Sequence, residues 1–282
     1  MLIFTNKRDL IDYLNVVSPS YSDIGLVPTM GALHDGHLSL ISRCTFENRI
    51  TVISIFVNPT QFNNSEDLEK YPRVLERDID LIKTVDPDVV IFTPNSYDIY
   101  DGDVKSESFD FDGLENVMEG KFRPGHFNGV ATIVKKLFHI VKPKNAYFGE
   151  KDFQQLQIIK KMVIKENIPV NMVLCDLIRE KNGLAMSSRN ERLTKEDRNE
   201  AGIIFRILQG VKEKFITENP VNIYQWVSLE FKKHPNFILE YFEITEELTL
   251  LPIVEKIKNK RYRAFIAVFN NNVRLIDTLS LY

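Results

Sequence analysis

The chain has 282 residues, which is enough for one large domain or two of ordinary size. Hydrophobic residues make up 44% and charged residues 27% of it, the composition of an ordinary soluble globular protein. The formal net charge of −3 excludes a global basic field, so we expect no nucleic-acid partner. The N-terminus carries charges from Lys7 to Asp9 and lacks an apolar h-region, and no uncharged stretch could span a bilayer. The sequence therefore predicts a cytoplasmic protein with no membrane partner.

The first predicted elements form a strand–turn–helix unit. A helix capped by Thr5 comes first, and a short apolar strand follows at residues 24–27. This strand ends in a turn built on Pro28 and Gly31, from which a helix of about 35–48 begins.

Two histidines lie at the start of that helix. His34 and His37 are three residues apart, so their side chains share roughly one face. A helix N-terminus presents unpaired N–H groups and a partial positive charge, and Gly36 lets a ligand approach the backbone closely. The pattern predicts a phosphate-binding turn. Taken alone, it is equally compatible with surface or capping chemistry.

The second predicted strand, residues 51–57, is a nearly continuous β-branched run of the kind buried on both faces of a parallel sheet. It ends at Asn58, and Gln61 follows after Pro59. Ligands of open α/β sheets bind outside the carboxyl ends of the strands, so we expect both amides to face the crevice of the histidine turn. The alternative is ordinary turn chemistry.

The middle of the chain contains a second candidate rim. A helix at 74–85 and a strand at 89–92 precede a polar segment, 93–113, which is predicted to be a lid or disordered loop with a short strand at 108–111. Arg123, His126 and Asn128 then stand between glycines, before a helix predicted at 130–141. They form either an anion or substrate rim or a plain solvated turn.

A third strand-end turn repeats the same layout. A strand at 145–148 precedes Gly149, Lys151 and Asp152, and a helix runs from there to about 167. Lys151 is a candidate phosphate ligand. After a strand at 170–177, two serines beside an arginine, Ser187 to Arg189, would also suit phosphate oxygens.

The organisation changes near Thr194. Helices are predicted at 195–216 and 221–233, followed by strands at 240–244, 264–269 and 273–278, the last two joined by a hairpin turn at 270–272. The predicted fold class is α/β, a Rossmann-like parallel sheet with helices on both faces, plus a smaller C-terminal α+β domain. We place the domains at 1–177, binding nucleotide and substrate, and at 178–282, acting as a lid. Cys44 and Cys175 lie in apolar runs without metal-site spacing and are predicted to be buried free thiols.

Several motifs resemble those of the pantothenate synthetase (pantoate–β-alanine ligase) family, within the wider H-x-G-H nucleotidyl transferases. The matching strings follow in chain order: PTMGALHDGH at 28–37, FVNPTQF at 56–62, YPR at 71–73, RPGHFNGV at 123–130, YFGEKDFQQL at 147–156, MSSRN at 186–190, YFEI at 241–244 and RLID at 274–277. The resemblance spans nearly the whole chain. Thr60 departs from the family, which often has a larger apolar residue there, and we expect it to alter pantoate packing slightly.

The resemblance implies a homodimeric enzyme that condenses pantoate with β-alanine, converts ATP to AMP and pyrophosphate with Mg²⁺, and proceeds through a pantoyl-adenylate. His37 is implied as proton donor, and the expected catalytic group also includes His34, Lys151 and Arg189 as sources of positive charge. Pantoate and β-alanine are assigned to Gln61, Gln155 and Asn58. The implied ATP-binding residues are Met30, Gly31, Ala32, Leu33, His34, Asp35, Gly36, His37, Gly149, Glu150, Lys151, Asp152, Ile178, Met186, Ser187, Ser188 and Arg189. The protein ligands of Mg²⁺ and the base for the amine step are not identified.

Three other functions are compatible with parts of this pattern. A nucleotidyl transferase acting on a phosphorylated small molecule would keep the histidine turn but would not need the amides Gln61 and Gln155. A tRNA synthetase is disfavoured by the short second domain and the lack of a basic face. A non-catalytic nucleotide-binding protein would bind ATP without turnover.

Overall fold

The computed structural model describes residues 1–282. The chain divides into two compact units, the first comprising residues 1–115 and 120–176 and the second comprising 116–119 and 177–282. The predicted first domain therefore differs from the first unit chiefly in the segment 116–119, which belongs to the second unit. The roles proposed for the two domains stay predictions.

The first unit is built on a six-stranded parallel sheet with the strand order β1-β4-β3-β2-β5-β6. Its strands are β1 Leu2–Phe4, β2 Ile24–Thr29, β3 Ile50–Ile55, β4 Val90–Phe92, β5 Asn145–Gly149 and β6 Asn171–Cys175. Every residue of β3 is buried, as its β-branched run predicts for a strand covered on both faces. Strand order changes direction between β2 and β5, which is where ligands of such sheets bind.

Helices connect these strands. They are α1 Lys7–Val17, α2 Asp35–Glu47, α3 Ser65–Glu69, α4 Leu75–Val85, α5 Ser96–Ile99, α6 Met118–Phe122, α7 His126–Val141 and α8 Phe153–Lys165. Helix α2 packs on α4, whereas α7 packs on α1 and α8. Cys44 and Cys175 are both buried free thiols, as predicted. None of the helices is both long and apolar enough to cross a bilayer.

The second unit combines helices with an antiparallel sheet in the order β7-β8-β9. Its elements are α9 Lys195–Glu200, α10 Ile203–Thr217, α11 Pro220–Lys232, β7 Phe237–Glu246, β8 Tyr262–Asn270 and β9 Val273–Ser280. Asn270 pairs with Val273 across the predicted hairpin, and Asn271 adopts a left-handed φ of 50° that asparagine tolerates well. The fold class predicted from the sequence is confirmed.

Several predicted elements were wrong in detail. Asn6, not Thr5, caps α1, since its side chain accepts from the N–H groups of Arg8 and Asp9. Strand β1 was missed because it is a three-residue edge strand. The helix predicted at 195–216 is interrupted before Ile203, where a Cβ on Gly202 would lie 2.4 Å from the carbonyl oxygen of Asn182.

No strand forms at 108–111, and the surrounding segment is hydrogen-bonded to α7. The Phe109 N–H donates to Asn128 Oδ1 at 3.2 Å, and the Glu107 N–H donates to Thr132 Oγ1 at 2.8 Å. Side chains of α7 therefore satisfy the backbone groups that a strand partner would have satisfied.

Candidate active site

The turn after β2 adopts a strained backbone. Gly31 has a φ of 78° and Ala32 a φ of 51°, both in the left-handed region. A Cβ on Gly31 would meet Ile55 Cγ2 at 3.1 Å and an Asp78 carboxylate oxygen at 3.0 Å, so glycine suits this position on both grounds. The predicted phosphate-binding turn is thus packed closely against β3 and α4.

Asp78 on α4 holds this turn. Its carboxylate, only 1% exposed, accepts from the N–H of Ala32 at 2.9 Å and from the N–H of Leu33 at 2.7 Å. Sequence reasoning missed this residue. The available signal was a carboxylate four positions before Ile82 on the buried stripe of a helix, where an unpartnered charge would be costly.

The histidines meet at the start of α2. His34 is the N-cap residue, and the two ring centroids lie 4.1 Å apart. The His34 N–H donates to His37 Nδ1 at 3.4 Å, so Nδ1 accepts and a neutral His37 ring carries its proton on Nε2. Desolvation, followed by the nearby His34 and Lys151, holds the pKa of His37 well below its ordinary value of 6.5. His37 is therefore a neutral hydrogen-bond donor at pH 7.

The turn after β3 carries buried amides. Asn58 is 1% exposed, and its Nδ2 donates to Gln61 Oε1 at 3.0 Å and to the Gly129 carbonyl at 3.2 Å. Gln61 Nε2 lies 3.2 Å from Met30 Sδ, which joins this turn to the histidine turn. The two strand ends predicted to share a crevice are thus brought together.

The segment 123–129 supports the amide turn. A Cβ on Gly129 would lie 2.3 Å from the carbonyl oxygen of Thr60, so only glycine permits α7 to approach this closely. His126 is 5% exposed, and its Nδ1 lies 2.8 Å from the Gln61 carbonyl oxygen. The structure thus connects this predicted rim to the backbone of a substrate-site candidate.

The turn after β5 places two neighbouring glutamines differently. Gln154 is 3% exposed and donates to the Leu114 carbonyl at 2.9 Å, whereas Gln155 is half-buried and its amide contacts no hydrogen-bond partner in the chain. Lys151 Nζ lies 3.6 Å from an Asp152 carboxylate oxygen. A Cβ on Gly149 would meet nothing within 4 Å, so this glycine borders open space.

The segment 186–189 has its own framework in the second unit. The Met186 N–H donates to the Ile178 carbonyl at 3.1 Å, and Ser187 Oγ accepts from the Arg189 N–H at 3.3 Å. Next to Ile178, Arg179 forms a bidentate ion pair with the buried Asp277 at 2.6 and 2.9 Å. Ile178 and the segment 186–189, which the resemblance assigned to ATP, therefore lie in a hydrogen-bonded local structure. Their role in ATP binding stays a prediction.

The fold and these turns define a class of protein. Glycine-containing turns, a histidine pair at a helix N-terminus and a lysine at the next strand end lie at the switch point of a parallel sheet. These features characterise an α/β nucleotide-binding enzyme that acts on phosphate groups.

Comparison with known proteins gives the particular family. The family model described as "Pantoate-beta-alanine ligase" matches residues 2–280. The chain is 55% identical to the pantothenate synthetase of Flavobacterium psychrophilum, with 100% of both chains covered, and 50% identical to that of Christiangramia forsetii, with 100% of this chain and 99% of the relative covered. The chain belongs to the pantoate–β-alanine ligase family.

Solved structures agree. The pantothenate synthetase of Thermus thermophilus superposes with a TM-score of 0.92 at 37% identity, with 100% of both chains covered. A pantoate-β-alanine ligase from Francisella tularensis, complexed with β-γ ATP and β-alanine, has a TM-score of 0.82 at 38% identity and covers 100% of this chain and 98% of its own. The family expected from the motifs is confirmed.

Proposed function

We propose that this enzyme condenses pantoate with β-alanine to give pantothenate, with ATP converted to AMP and pyrophosphate through an enzyme-bound pantoyl-adenylate. The observation that carries the proposal is membership of the pantoate–β-alanine ligase family over residues 2–280. Support for ATP and β-alanine as substrates comes from the Francisella tularensis relative, whose structure is a complex with both kinds of molecule.

Activation precedes amide formation, because a carboxylate has no adequate leaving group. In the first step a pantoate carboxylate oxygen attacks the α-phosphorus of ATP, and the bond from that phosphorus to the bridging oxygen of pyrophosphate breaks. Two anions approach each other, so the site must supply preorganised donors and positive charge. The candidates in the first unit are His34, His37 and Lys151.

His37 acts in this step as a donor rather than a nucleophile or base. Its depressed pKa keeps the ring neutral, and the hydrogen bond at Nδ1 leaves the proton on Nε2. A neutral N–H that is already oriented stabilises charge on a phosphate oxygen without a proton transfer. The N-terminus of α2 adds backbone N–H groups with the same polarity.

Mg²⁺ belongs to the proposal as a component of the MgATP substrate. Residues 1–282 contain no group of three or more His, Cys, Asp or Glu side chains that could hold a metal ion. In the proposal the ion is carried mainly by phosphate oxygens and water, which is a common arrangement for Mg²⁺.

In the second step the neutral amine of β-alanine attacks the acyl carbon of the adenylate. The bond from this carbon to the AMP phosphate oxygen breaks, AMP leaves, and the amine nitrogen loses one proton. We propose that Gln61 and Gln155 bind pantoate, and that Asn58 acts through Gln61, because its buried amide is occupied within the chain.

A homodimer is also proposed, and light scattering after size-exclusion chromatography tests it.

The deciding experiment measures AMP formation from MgATP with pantoate and β-alanine added singly and together. We expect fast AMP release only with both substrates, and pantoate-dependent exchange of labelled pyrophosphate into ATP without β-alanine. Exchange that needs β-alanine would contradict the adenylate intermediate. Absence of AMP with both substrates would overturn the proposed function and favour a non-catalytic nucleotide-binding protein.

A further inference from the structure

The side chain of Gln61 is part of a buried hydrogen-bond network that reaches Tyr100. Tyr100, which is 2% exposed, directs its hydroxyl at Asn58 Oδ1 at 2.5 Å. Thr60 Oγ1 lies 3.2 Å from the same Asn58 oxygen and 2.9 Å from the Tyr100 hydroxyl. Two hydroxyl groups therefore converge on one face of the Asn58 amide.

The chemistry of the partners fixes the orientation of Asn58. The Gly129 carbonyl can only accept, so the NH₂ group of Asn58 must face it. The Asn58 oxygen then faces the opposite side, where Tyr100 and Thr60 supply donors. Burial raises the pKa of the Tyr100 hydroxyl, which keeps it protonated and able to donate.

The orientation of Asn58 in turn fixes that of Gln61. The second hydrogen of Asn58 Nδ2 is donated to Gln61 Oε1 at 3.0 Å. The carbonyl end of the Gln61 amide is thereby occupied, and its NH₂ end is directed to the side of Met30.

A second set of contacts fixes the Gln61 backbone. Arg123 can only donate, so the His126 Nε2 atom, 3.1 Å from the guanidinium, must accept. The His126 proton then resides on Nδ1 and is donated to the Gln61 carbonyl at 2.8 Å. Each acceptor group of Gln61 thus takes a hydrogen bond within the protein, and one hydrogen of its amide NH₂, whose other hydrogen faces Met30 Sδ, is left to meet a ligand.

We propose that Tyr100 is a positioning residue that acts through Asn58 to present Gln61 to the substrate as a hydrogen-bond donor only. The proposal rests on the proposed function and deepens it, since it assigns to Gln61 an acceptor atom of pantoate, a carboxylate or hydroxyl oxygen. Thr60 adds a second hydroxyl group to this network.

The first test is a double-mutant cycle between Tyr100→Phe and Gln61→Met, read as kcat/KM for pantoate and as KM for ATP. We expect Tyr100→Phe to lower kcat/KM for pantoate by about 3- to 10-fold, as for loss of one buried neutral hydrogen bond, with KM for ATP unchanged. In the Gln61→Met background the same substitution should have no further effect on pantoate. Tyr97→Phe is the matched control, because Tyr97 is 77% exposed.

A purely structural role for Tyr100 would give a different result. Its substitution would then lower kcat/KM for pantoate equally in both backgrounds, or would raise KM for ATP as well, and either result would overturn the proposal. Thermal unfolding of each variant separates a loss of fold from a loss of orientation.

The second test asks whether the substrate meets a donor. Gln61→Met removes both polar ends of the amide, whereas Gln61→Glu replaces the NH₂ group by a carboxylate oxygen. If Gln61 donates to an acceptor on anionic pantoate, the Glu variant should have a kcat/KM for pantoate about 10-fold or more below that of the Met variant, because like charges then face each other. A Glu variant equal to or better than Met would overturn the donor assignment.

Failure of this inference is distinguishable from failure of the proposed function. Wild-type enzyme that forms AMP with pantoate and β-alanine upholds the function whatever the variants do. Absence of that activity in the wild type would remove the function itself and the inference with it.

Discussion

The turns after β2 and β3 lie at neighbouring strand ends and are held in different ways. At the histidine turn, a buried carboxylate from α4 binds two main-chain N–H groups, those of Ala32 and Leu33, directly before the histidine pair. At the amide turn, neutral amides and hydroxyls hold side chains, and the chain of contacts ends in Gln61. At the histidine turn the contacts therefore fix the conformation of the main chain. At the amide turn they fix which end of each side-chain amide donates and which accepts. Substitutions at the histidine turn should strongly reduce stability or the rate of adenylation. Substitutions at the amide turn should have smaller effects, confined to pantoate.

The largest expected effect comes from removing the Asp78 carboxylate. Asp78→Ala leaves the N–H groups of Ala32 and Leu33 without their acceptor, at about 1–3 kcal/mol for each buried group, so we expect a loss of about 2–6 kcal/mol in the free energy of unfolding. Urea unfolding measures it. Asp78→Asn retains one acceptor oxygen, but its NH₂ group then faces the other main-chain N–H, so we expect it to lose at least half as much as Asp78→Ala. Stability close to that of the wild type in both variants would contradict this account.

The second effect is on the chemical step at the histidine turn. His37→Ala removes a preorganised donor and should slow adenylation by about 10²- to 10³-fold, measured by single-turnover pyrophosphate release, while the variant remains folded at pH 7. His139→Ala, at an exposed histidine on α7, is the control. Unchanged single-turnover adenylation in the His37 variant would remove this residue from the mechanism.

The amide turn should respond more mildly and only toward pantoate. Gln61→Ala removes one donor and should weaken pantoate binding by about 10-fold while ATP binding changes little. Calorimetric titration with each substrate measures both affinities. Equal weakening of the two would indicate that the turns are not separable, and would contradict the contrast drawn between them.

The smallest effect is a pH dependence of stability at His37. Its pKa in the folded state lies well below the ordinary 6.5, so the unfolded chain binds more protons between these two values. The stabilisation associated with this residue is fully present above about pH 6.5 and is lost as the pH falls through the folded pKa. Urea unfolding of wild type and His37→Asn, followed downward in pH from above the ordinary pKa of 6.5, should show a shallower decline of stability in the variant. Identical declines would contradict a depressed pKa.

The sequence by itself determined the order of the longer strands of the parallel sheet and the positions of the turns that follow them. The continuous apolar run of β3 and the asparagine turn between β8 and β9 are local signals, because burial periodicity and turn chemistry depend on a few consecutive residues. The same holds for the histidine turn, whose start of α2 at Asp35 was predicted correctly. The family motifs then connected these local features to a reaction.

Only the tertiary structure decided what holds the turns in place. Asp78 meets Ala32 across 46 residues, Tyr100 meets Asn58 across 42, and His126 meets Gln61 across 65. No local pattern encodes such pairings, since they depend on which strand ends become neighbours in the sheet. The structure also shows that the amide of Asn58, which the resemblance assigned to the substrates, is buried among Gln61, Gly129 and Tyr100, and its role toward the substrates stays a prediction.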